Sequence, residues 1–459
     1  MEIRKVQVTD MMAAREARAF RQQELIRKYE KNVICFTLNI AGPVKNSDLI
    51  QKTFEEGVTC IFNQLRVRGI AVLFFEKIHE ATGNEAFIVV DCDNIEIKCI
   101  MSEIEDTHPL GRLFDIDVLA HDGIKMERGV VGLSERRCLI CGGPVHRCSS
   151  RRVHPAEELQ KKTFQMMEEY FFDNFIEKIA SFAIKALLYE VSVSPKPGLV
   201  DRFNNGSHHD MDFYSFVDSS VALIPHFKSM IRIGIETTME TPEKTFRKLQ
   251  YEGMNAESAM FNETQNVNTH KGAIFSIGII CGAIGRLKGN GGKLTAEQIL
   301  GECGALSKTY AEFVFNHIEQ QRPTAGCQLY KKYGIKGVRG EAADGFPTVL
   351  NTGLPILKKA LAEGYTKDEA GSITLLYLLS EAVDTNIIAR SDYPTYIDVK
   401  KQLNEILNKE KYPAAAIIRD LDHQFISKNY PREGRPTYWQ FAGFYILSNV
   451  MMESKLNFC

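Results

Sequence analysis

The sequence lacks a large net charge of either sign. Its 56 Lys and Arg stand against 58 Asp and Glu, a formal net of -2 over 459 residues. That balance argues against a general nucleic-acid partner, and any anion site must be local. A long apolar run is missing too: the longest uncharged one, Gly272 to Gly285, falls short of the roughly 20 residues a membrane span needs, so no membrane partner is expected. Met1-Glu-Ile-Arg-Lys leads into polar sequence and does not read as a secretory signal. A framework of paired cysteines is absent as well. The count is eleven, an odd number, mostly scattered through apolar segments, which predicts reduced thiols in a cytoplasmic protein. Strand patterns are missing after about residue 170. What is present, 44% hydrophobic and 25% charged residues, suits two or three ordinary globular domains.

The first third alternates in character. Asp10 can cap a charged helix to about Tyr29. Val33 to Ile40 reads as a buried strand, and Ser47 caps a helix to about Arg66. Ile70 to Phe75 and Glu85 to Val90 read as strands around Thr82-Gly-Asn, Asn94 to Glu105 as a helix, and Leu113 to Leu119 as a strand before an Asp122-Gly123 turn. This order is the split pattern of a ferredoxin-like α+β domain.

Within His108-Pro-Leu-Gly111-Arg112-Leu-Phe-Asp115-Ile-Asp117, residues two apart on a strand share a face. Asp115 and Asp117 therefore stand side by side, opposite the apolar Phe114, Ile116 and Val118. Two like charges need a positive partner. A Mg²⁺ that also grips a triphosphate would serve, with Arg112 near enough to bind phosphate oxygens; the alternative is a solvated polar strand face. Further on, Cys138-x2-Cys141, Cys148 and His154 could form a four-ligand zinc knuckle around a Gly-Gly-Pro turn. His146 competes with His154 as the fourth ligand, and reduced structural thiols are the alternative. The surrounding arginines make a basic patch that could meet a triphosphate or an acidic carrier protein.

Pro155 to about Glu190 repeats apolar residues at helical spacing. The charged run Ser194 to Asp212, broken by Pro195, Pro197, Gly198 and Gly206, follows. Helices are predicted over 212–240 with a break near Pro225, then from Thr241-Pro to about Tyr251, 271–287 with Asn268 or Thr269 as cap, 294–320, 347–363 and 367–383. Gly278, Gly282 and Gly285 share one face of the 271–287 helix, which invites close approach of a neighbour. The expected architecture is multidomain: an α+β domain over 1–165, then an all-α domain over 166–459 whose polar motifs sit at helix ends.

Two resemblances follow from these motifs. His108-Pro-Leu-Gly-Arg-Leu-Phe-Asp-Ile-Asp117, Arg136-Arg-Cys-Leu-Ile-Cys141 and the following Cys, Arg and His resemble citrate lyase holo-acyl-carrier-protein synthase, with Phe114 where Trp is usual. That family moves phosphoribosyl-dephospho-CoA from its triphosphate precursor to a serine of the lyase acyl carrier (gamma) subunit and releases pyrophosphate. Ser194-Pro-Lys-Pro-Gly with Asp201 to Asp212, Asn266 to Gly272, Gly337-Val-Arg-Gly-Glu-Ala-Ala-Asp344 and Asp384-Thr-Asn386 resemble triphosphoribosyl-dephospho-CoA synthase. That family joins ATP to 3′-dephospho-CoA and releases adenine. The resemblance implies phosphate contacts from Lys196, Arg202, Lys271 and Arg339 beside Asn268. It implies Mg²⁺ on Asp201, Asp212 and Asp384, and Glu341 or Asp344 as base or as stabiliser of an oxocarbenium-like ribose. His270 would bind phosphate or carry a proton; His208 and His209 stay ambiguous.

The chain departs from the synthase pattern at Gln265, at Ala389-Arg-Ser-Asp392 and at Asn429-Tyr-Pro-Arg432-Glu-Gly-Arg435. Two alternatives therefore stand beside the bifunctional enzyme: a hydrolase of adenine-nucleotide N-glycosidic bonds, and a carrier-binding protein with an inactive C-terminal pocket.

Overall fold

The segment Val33-Ile-Cys-Phe is apolar at every position, so a strand there needs cover on both faces. The computed structural model describes residues 4–320, 325–381, 388 and 392–428. In it β1 (Asn32–Leu38) lies inside a four-stranded antiparallel sheet with β2 (Ala71–Glu80), β3 (Gly83–Asp91) and β4 (Phe114–Leu119), in the order β2-β3-β1-β4. One face, with Ile34, Phe36, Ile88, Phe114 and Ile116, packs under α2 (Asp48–Val67) and α3 (Asn94–Thr107). The other, with Val33, Cys35, Phe87 and Val89, is covered by Leu25 and Ile26 of α1 (Val8–Tyr29). Burial pushes the Cys35 thiol up to about 12. Helix, strand pair and helix follow β1 in the split order predicted. Ser47 caps α2 through Ile50 N–H. Asp10 does not cap α1: Gln7 holds that position, and Asp10 accepts its backbone N–H from the first turn at 2.9 Å.

A 37-residue helix, α5 (Ala156–Ser192), follows the short α4 (Val145–Ser150). Met167 of α5 belongs to the first core, and the chain divides into compact units at Asn174 and Phe175.

Every element described in the second unit is helical. The predicted helix over 212–240 is two: α6 (Phe213–Ala222) and α7 (Ile224–Glu236), with Pro225 in the first turn of α7, where a missing N–H costs nothing. α8 (Pro242–Glu263) runs twelve residues past the predicted Tyr251. α9 (Lys271–Gly289) is the centre. It has the length and composition to cross a bilayer, but 72% of that window is buried inside the protein. Its glycines serve two neighbours. A Cβ on Gly285 would stand 2.2 Å from Ile231 O of α7, whereas one on Gly282 would meet Leu249 of α8 at 2.4 Å. α10 (Ala296–Asn316) packs beside α9, and α11 (Ala325–Tyr333) and α12 (Gly337–Ala343) follow. The predicted helix over 347–363 is α13 (Leu354–Ala362) entered through a π-helical turn, Val349–Gly353; α14 (Lys367–Glu381) comes next. Helices Tyr393–Lys409 and Ala415–Ser427, not predicted, complete a core around Ile373, Leu376, Leu403 and Leu421.

Candidate active sites

In the first unit β4 buries Phe114, Ile116 and Val118 and turns Asp115 and Asp117 to the other face. Thr37 of β1 is the cross-strand neighbour of Asp115 and donates to it at 3.4 Å. Lys125 lies 2.8 Å from Asp117. Burial opposes its charge, but the bond to Asp117 and the charges of Asp117 and Asp115 prevail and raise its pKa. A cation thus already faces both carboxylates.

β4 is an edge strand, and its outward backbone groups are met by side chains and, at Val118 O, by Met126 N–H at 2.8 Å. Arg136 donates to Phe114 O at 2.8 Å and to Gly111 O at 2.6 Å. Glu105 accepts Ile116 N–H at 3.0 Å, and Lys98 donates to Ile116 O at 3.4 Å. Both peptide groups of the residue between the two aspartates are therefore held by buried charges of α3. Glu105 is itself paired with Arg128 at 3.0 Å. Burial lowers the pKa of Lys98.

Asp115 opens onto a cleft of about 360 Å³ shared with Asn39, Arg112, Arg136, Cys138 and His154. The Arg112 side chain makes no hydrogen bond or ion pair with the described residues, and burial followed by the charge of Arg136 lowers its pKa. A cation without a protein partner beside a carboxylate suits a phosphate. Gly111 must lack a side chain, because a Cβ would stand 2.5 Å from Glu105 O.

The ligand atoms of Cys138, Cys141, Cys148 and His154 all lie within 4.8 Å of one another. Burial opposes ionisation of the Cys138 thiol, but backbone hydrogen bonds at Cys141 and Ile140 outweigh it and lower its pKa. His154 Nε2 is buried with no hydrogen-bond partner, and its Nδ1 lies 3.8 Å from Glu158. A carboxylate behind a histidine whose other nitrogen is free is the usual support of a metal-binding imidazole. His146, the competing ligand, turns away to Glu135 at 2.7 Å.

In the second unit the loop after α5 folds on itself. Asp201 accepts from Ser194 Oγ at 2.5 Å and from Phe203 N and Asn204 N at 2.7 and 3.1 Å. Lys196 is 3% exposed and donates to the backbone and carboxylate of Glu190, both at 2.8 Å. Asp422 accepts from Gly198 N at 2.8 Å and Asn204 Nδ2 at 3.1 Å, with burial raising its pKa. Arg202 instead pairs with the exposed Asp368. Asp212 caps α6; bonds from Ser215 hold its carboxyl below the usual range.

Asn268 accepts Lys271 N–H at 3.2 Å, and Lys271 reaches Glu257 at 2.6 Å. His270, fully buried, takes a 2.7 Å hydrogen bond with Ser219 at Nδ1, while Nε2 has no partner. Burial, then the charge of Lys196, pushes its pKa down to about 3. Arg339 and Glu341 ride on α12, which packs on α10 and α9. Arg339 is unpaired among the described residues. Glu341 accepts Thr348 Oγ1 at 2.7 Å. Asp344 is exposed at the end of α12, and Asp384 lies outside the described residues.

Residues 176–431 match the family model for ATP:dephospho-CoA triphosphoribosyl transferase, and residues 6–170 match that for apo-citrate lyase phosphoribosyl-dephospho-CoA transferase. Protein CitXG of Haemophilus influenzae is 33% identical over 416 residues, covering 88% of this chain and 87% of that protein. Protein CitXG of Leuconostoc mesenteroides subsp. cremoris is 31% identical over 442 residues, 92% of each. The chain belongs to the CitXG family. A Streptococcus equi subsp. zooepidemicus protein named probable 2-(5''-triphosphoribosyl)-3'-dephosphocoenzyme-A synthase is 40% identical over 244 residues, 50% of this chain and 82% of that one. The chain carries two transferase activities, phosphoribosyl-dephospho-CoA transfer in its first unit and ATP:dephospho-CoA triphosphoribosyl transfer in its second.

The structure brings together Arg112 and Asp115 on one cleft, and the three cysteines with His154 in one cluster. It turns Arg202 and Lys271 toward acidic partners of their own. Sequence reasoning missed Lys98, Glu105, Glu190 and Asp422. A signal was there for three of them. Lys98 and Glu105 fall two turns apart on the apolar face of α3, and Glu190 continues the apolar stripe of α5. Charges at core positions ask for partners. Asp422, between buried Leu421 and exposed His423, carried no such signal.

Proposed function

We propose that the second unit joins the ribose of ATP to the 2′-hydroxyl of 3′-dephospho-CoA. The hydroxyl oxygen bonds to ribose C1′, the N-glycosidic bond breaks, and adenine leaves with the hydroxyl proton. The first unit then transfers phosphoribosyl-dephospho-CoA to a serine of the apo citrate lyase acyl carrier (gamma) subunit. The serine oxygen bonds to the phosphorus nearest the ribose, and pyrophosphate leaves. The observation that carries the second step is the cleft in which unpaired Arg112 stands with Asp115 and Arg136: donors for phosphate oxygens beside a carboxylate.

Asp115 and Asp117 would hold Mg²⁺, with Lys125 giving up its bond to Asp117. When bound, Mg²⁺ neutralises the triphosphate. Arg112 orients the phosphate chain, and the hold of Lys98 and Glu105 on Ile116 keeps the two carboxylates in register. Cys138, Cys141, Cys148 and His154 would hold Zn²⁺, whose contribution is structural. The donor set fits: three thiols and an imidazole with a free, buried nitrogen.

In the second unit Arg339 is the phosphate contact best supported, because it has no acidic partner among the described residues. Arg202 and Lys271 would have to leave theirs, and Asn268 offers its amide nitrogen. Lys196 acts through Glu190, and Asp201 and Asp212 meet a metal only by giving up bonds within their own loop. Glu341, half-buried with a hydroxyl donor, suits a general base or charge stabiliser better than exposed Asp344. His270 would serve as a neutral donor. The described cysteines are all free thiols, which supports a cytoplasmic setting.

The test is adenine release from ATP and Mg²⁺ with and without 3′-dephospho-CoA, followed by addition of apo carrier. Release that requires dephospho-CoA, then a mass gain on one carrier serine, is expected. Release indifferent to dephospho-CoA would mean a hydrolase instead.

A further inference from the structure

The acceptor of the first unit is a protein, so its nucleophile reaches Asp115 only if the acceptor covers the rim of the cleft. Much of that rim is the cysteine knuckle: Cys138, Val145, Cys148, Ser149 and His154 line the cleft. The outward side of the same segment is basic. Arg137, Arg147, Arg151 and Arg152 are exposed and form no ion pair with the described residues. Residues 136–156 contain five arginines and no acid, in a chain whose formal net charge is -2. Val145 and Val153 stand exposed among the four. Arginine is one of the residues enriched at protein interfaces relative to the rest of the surface.

The segment also has little structure of its own. Its only helix is the six-residue α4; a tight turn, with Cys138 N–H donating to Gly143 O at 2.7 Å and Val145 N–H to Arg136 O at 3.2 Å, holds the rest beside the four converging ligand atoms. A rigid presentation lowers the ordering cost of docking.

We propose that Arg137, Arg147, Arg151 and Arg152 form the docking surface for the protein acceptor, and that they recognise an acidic face of it beside the serine to be modified. This rests on the transferase reading of the cleft. Opposite charges raise the encounter rate and set the register that brings the serine over the cleft. The nucleotide, held by Arg112 inside, does not need these arginines.

The experiment uses the full chain and purified apo carrier. Binding of fluorescently labelled carrier is measured for the parent and for R147E/R151E/R152E, together with KM for carrier, KM for the triphosphate donor and adenine release. A cobalt-loaded sample of each protein reports the thiolate charge-transfer band, so an intact knuckle is verified. The expected result is a carrier Kd and KM raised about tenfold or more, with a flatter salt dependence. Donor KM, adenine release and the cobalt band should not change, and R147K/R151K/R152K should restore most of the affinity. Unchanged carrier binding with unchanged salt dependence overturns the proposal. So does a rise confined to donor KM, which would make the arginines phosphate ligands. If the parent chain binds carrier through these arginines yet transfers nothing, the docking surface stands and the transferase reading fails.

Discussion

His270 shows how one side chain couples burial to acidity. Its imidazole has no exposure, its Nδ1 is occupied by Ser219, and a buried lysine lies close by, so protonation is resisted until about pH 3. In the unfolded chain the same group protonates near 6.5. The folded pKa is the lower one, so the stabilisation is complete above pH 6.5. It is lost as pH falls from 6.5 toward 3, at about 1.4 kcal/mol per unit. Between pH 7 and 5 the second unit should lose about 2 kcal/mol from this group alone. His270→Gln should flatten that acid limb, as read from urea unfolding at each pH. An equally steep limb in the variant would mean that other groups govern it. Residues of this kind were only half legible in the sequence. His270 stood out as a motif residue beside a helix start, but nothing in Asn268-Thr269-His270 reveals that Ser219, fifty-one residues earlier, occupies Nδ1. The resemblance offers Lys196 as a phosphate contact, and nothing in the local sequence shows that its acid is six residues back, on α5.

At the level of elements, glycine spacing foretold close helix approach in α9, but not which neighbour each glycine admits. The difference is testable. A Cβ on Gly285 meets backbone of α7, which cannot swing aside, while one on Gly278 meets the flexible Met230 side chain at 2.8 Å. Gly285→Ala should therefore cost about 3 kcal/mol or more, and Gly278→Ala under about 1 kcal/mol, measured by denaturant unfolding of the second unit. The β4 edge offers a second contrast. Glu105 is buried, accepts Ile116 N–H and pairs with Arg128. Glu105→Leu leaves Ile116 N–H without its acceptor, while Arg128 keeps Asp106 at 2.6 Å, and should destabilise the first unit by about 2 kcal/mol. Transfer to carrier should be lost in the same variant while adenine release continues. Most strands were easy to read, since β1 is apolar from Val33 to Phe36 and β4 alternates; β2 runs five residues past the expected Phe75, because its polar second half, Glu76 to Glu80, hides the pattern. α12 was not, because Gly337 and Gly340 within seven residues read as loop.

For the whole molecule, two activities on one chain make each unit the control for the other. Removing a knuckle-bound metal with a zinc-selective chelator, in excess Mg²⁺, should abolish transfer to carrier and leave adenine release intact. Both rates falling together would tie the metal to something other than the first cleft. The presence of two activities was legible, because each set of motifs is contiguous in the sequence. The fourth ligand was not: His146 and His154 have equally plausible spacing from Cys148, and only the fold shows which ring turns inward.

The charged side chains along β4 have one more effect. An open sheet margin is an invitation to strand addition by another chain. Here Arg136, Glu105 and Lys98 occupy the bonding positions a foreign strand would need. At the opposite margin β2 is interrupted between Val72 and Phe74 and carries Glu76, Lys77 and Glu80. The sheet is thus guarded against aggregation at both ends, by different means, and Glu105 variants should be the ones that begin to self-associate.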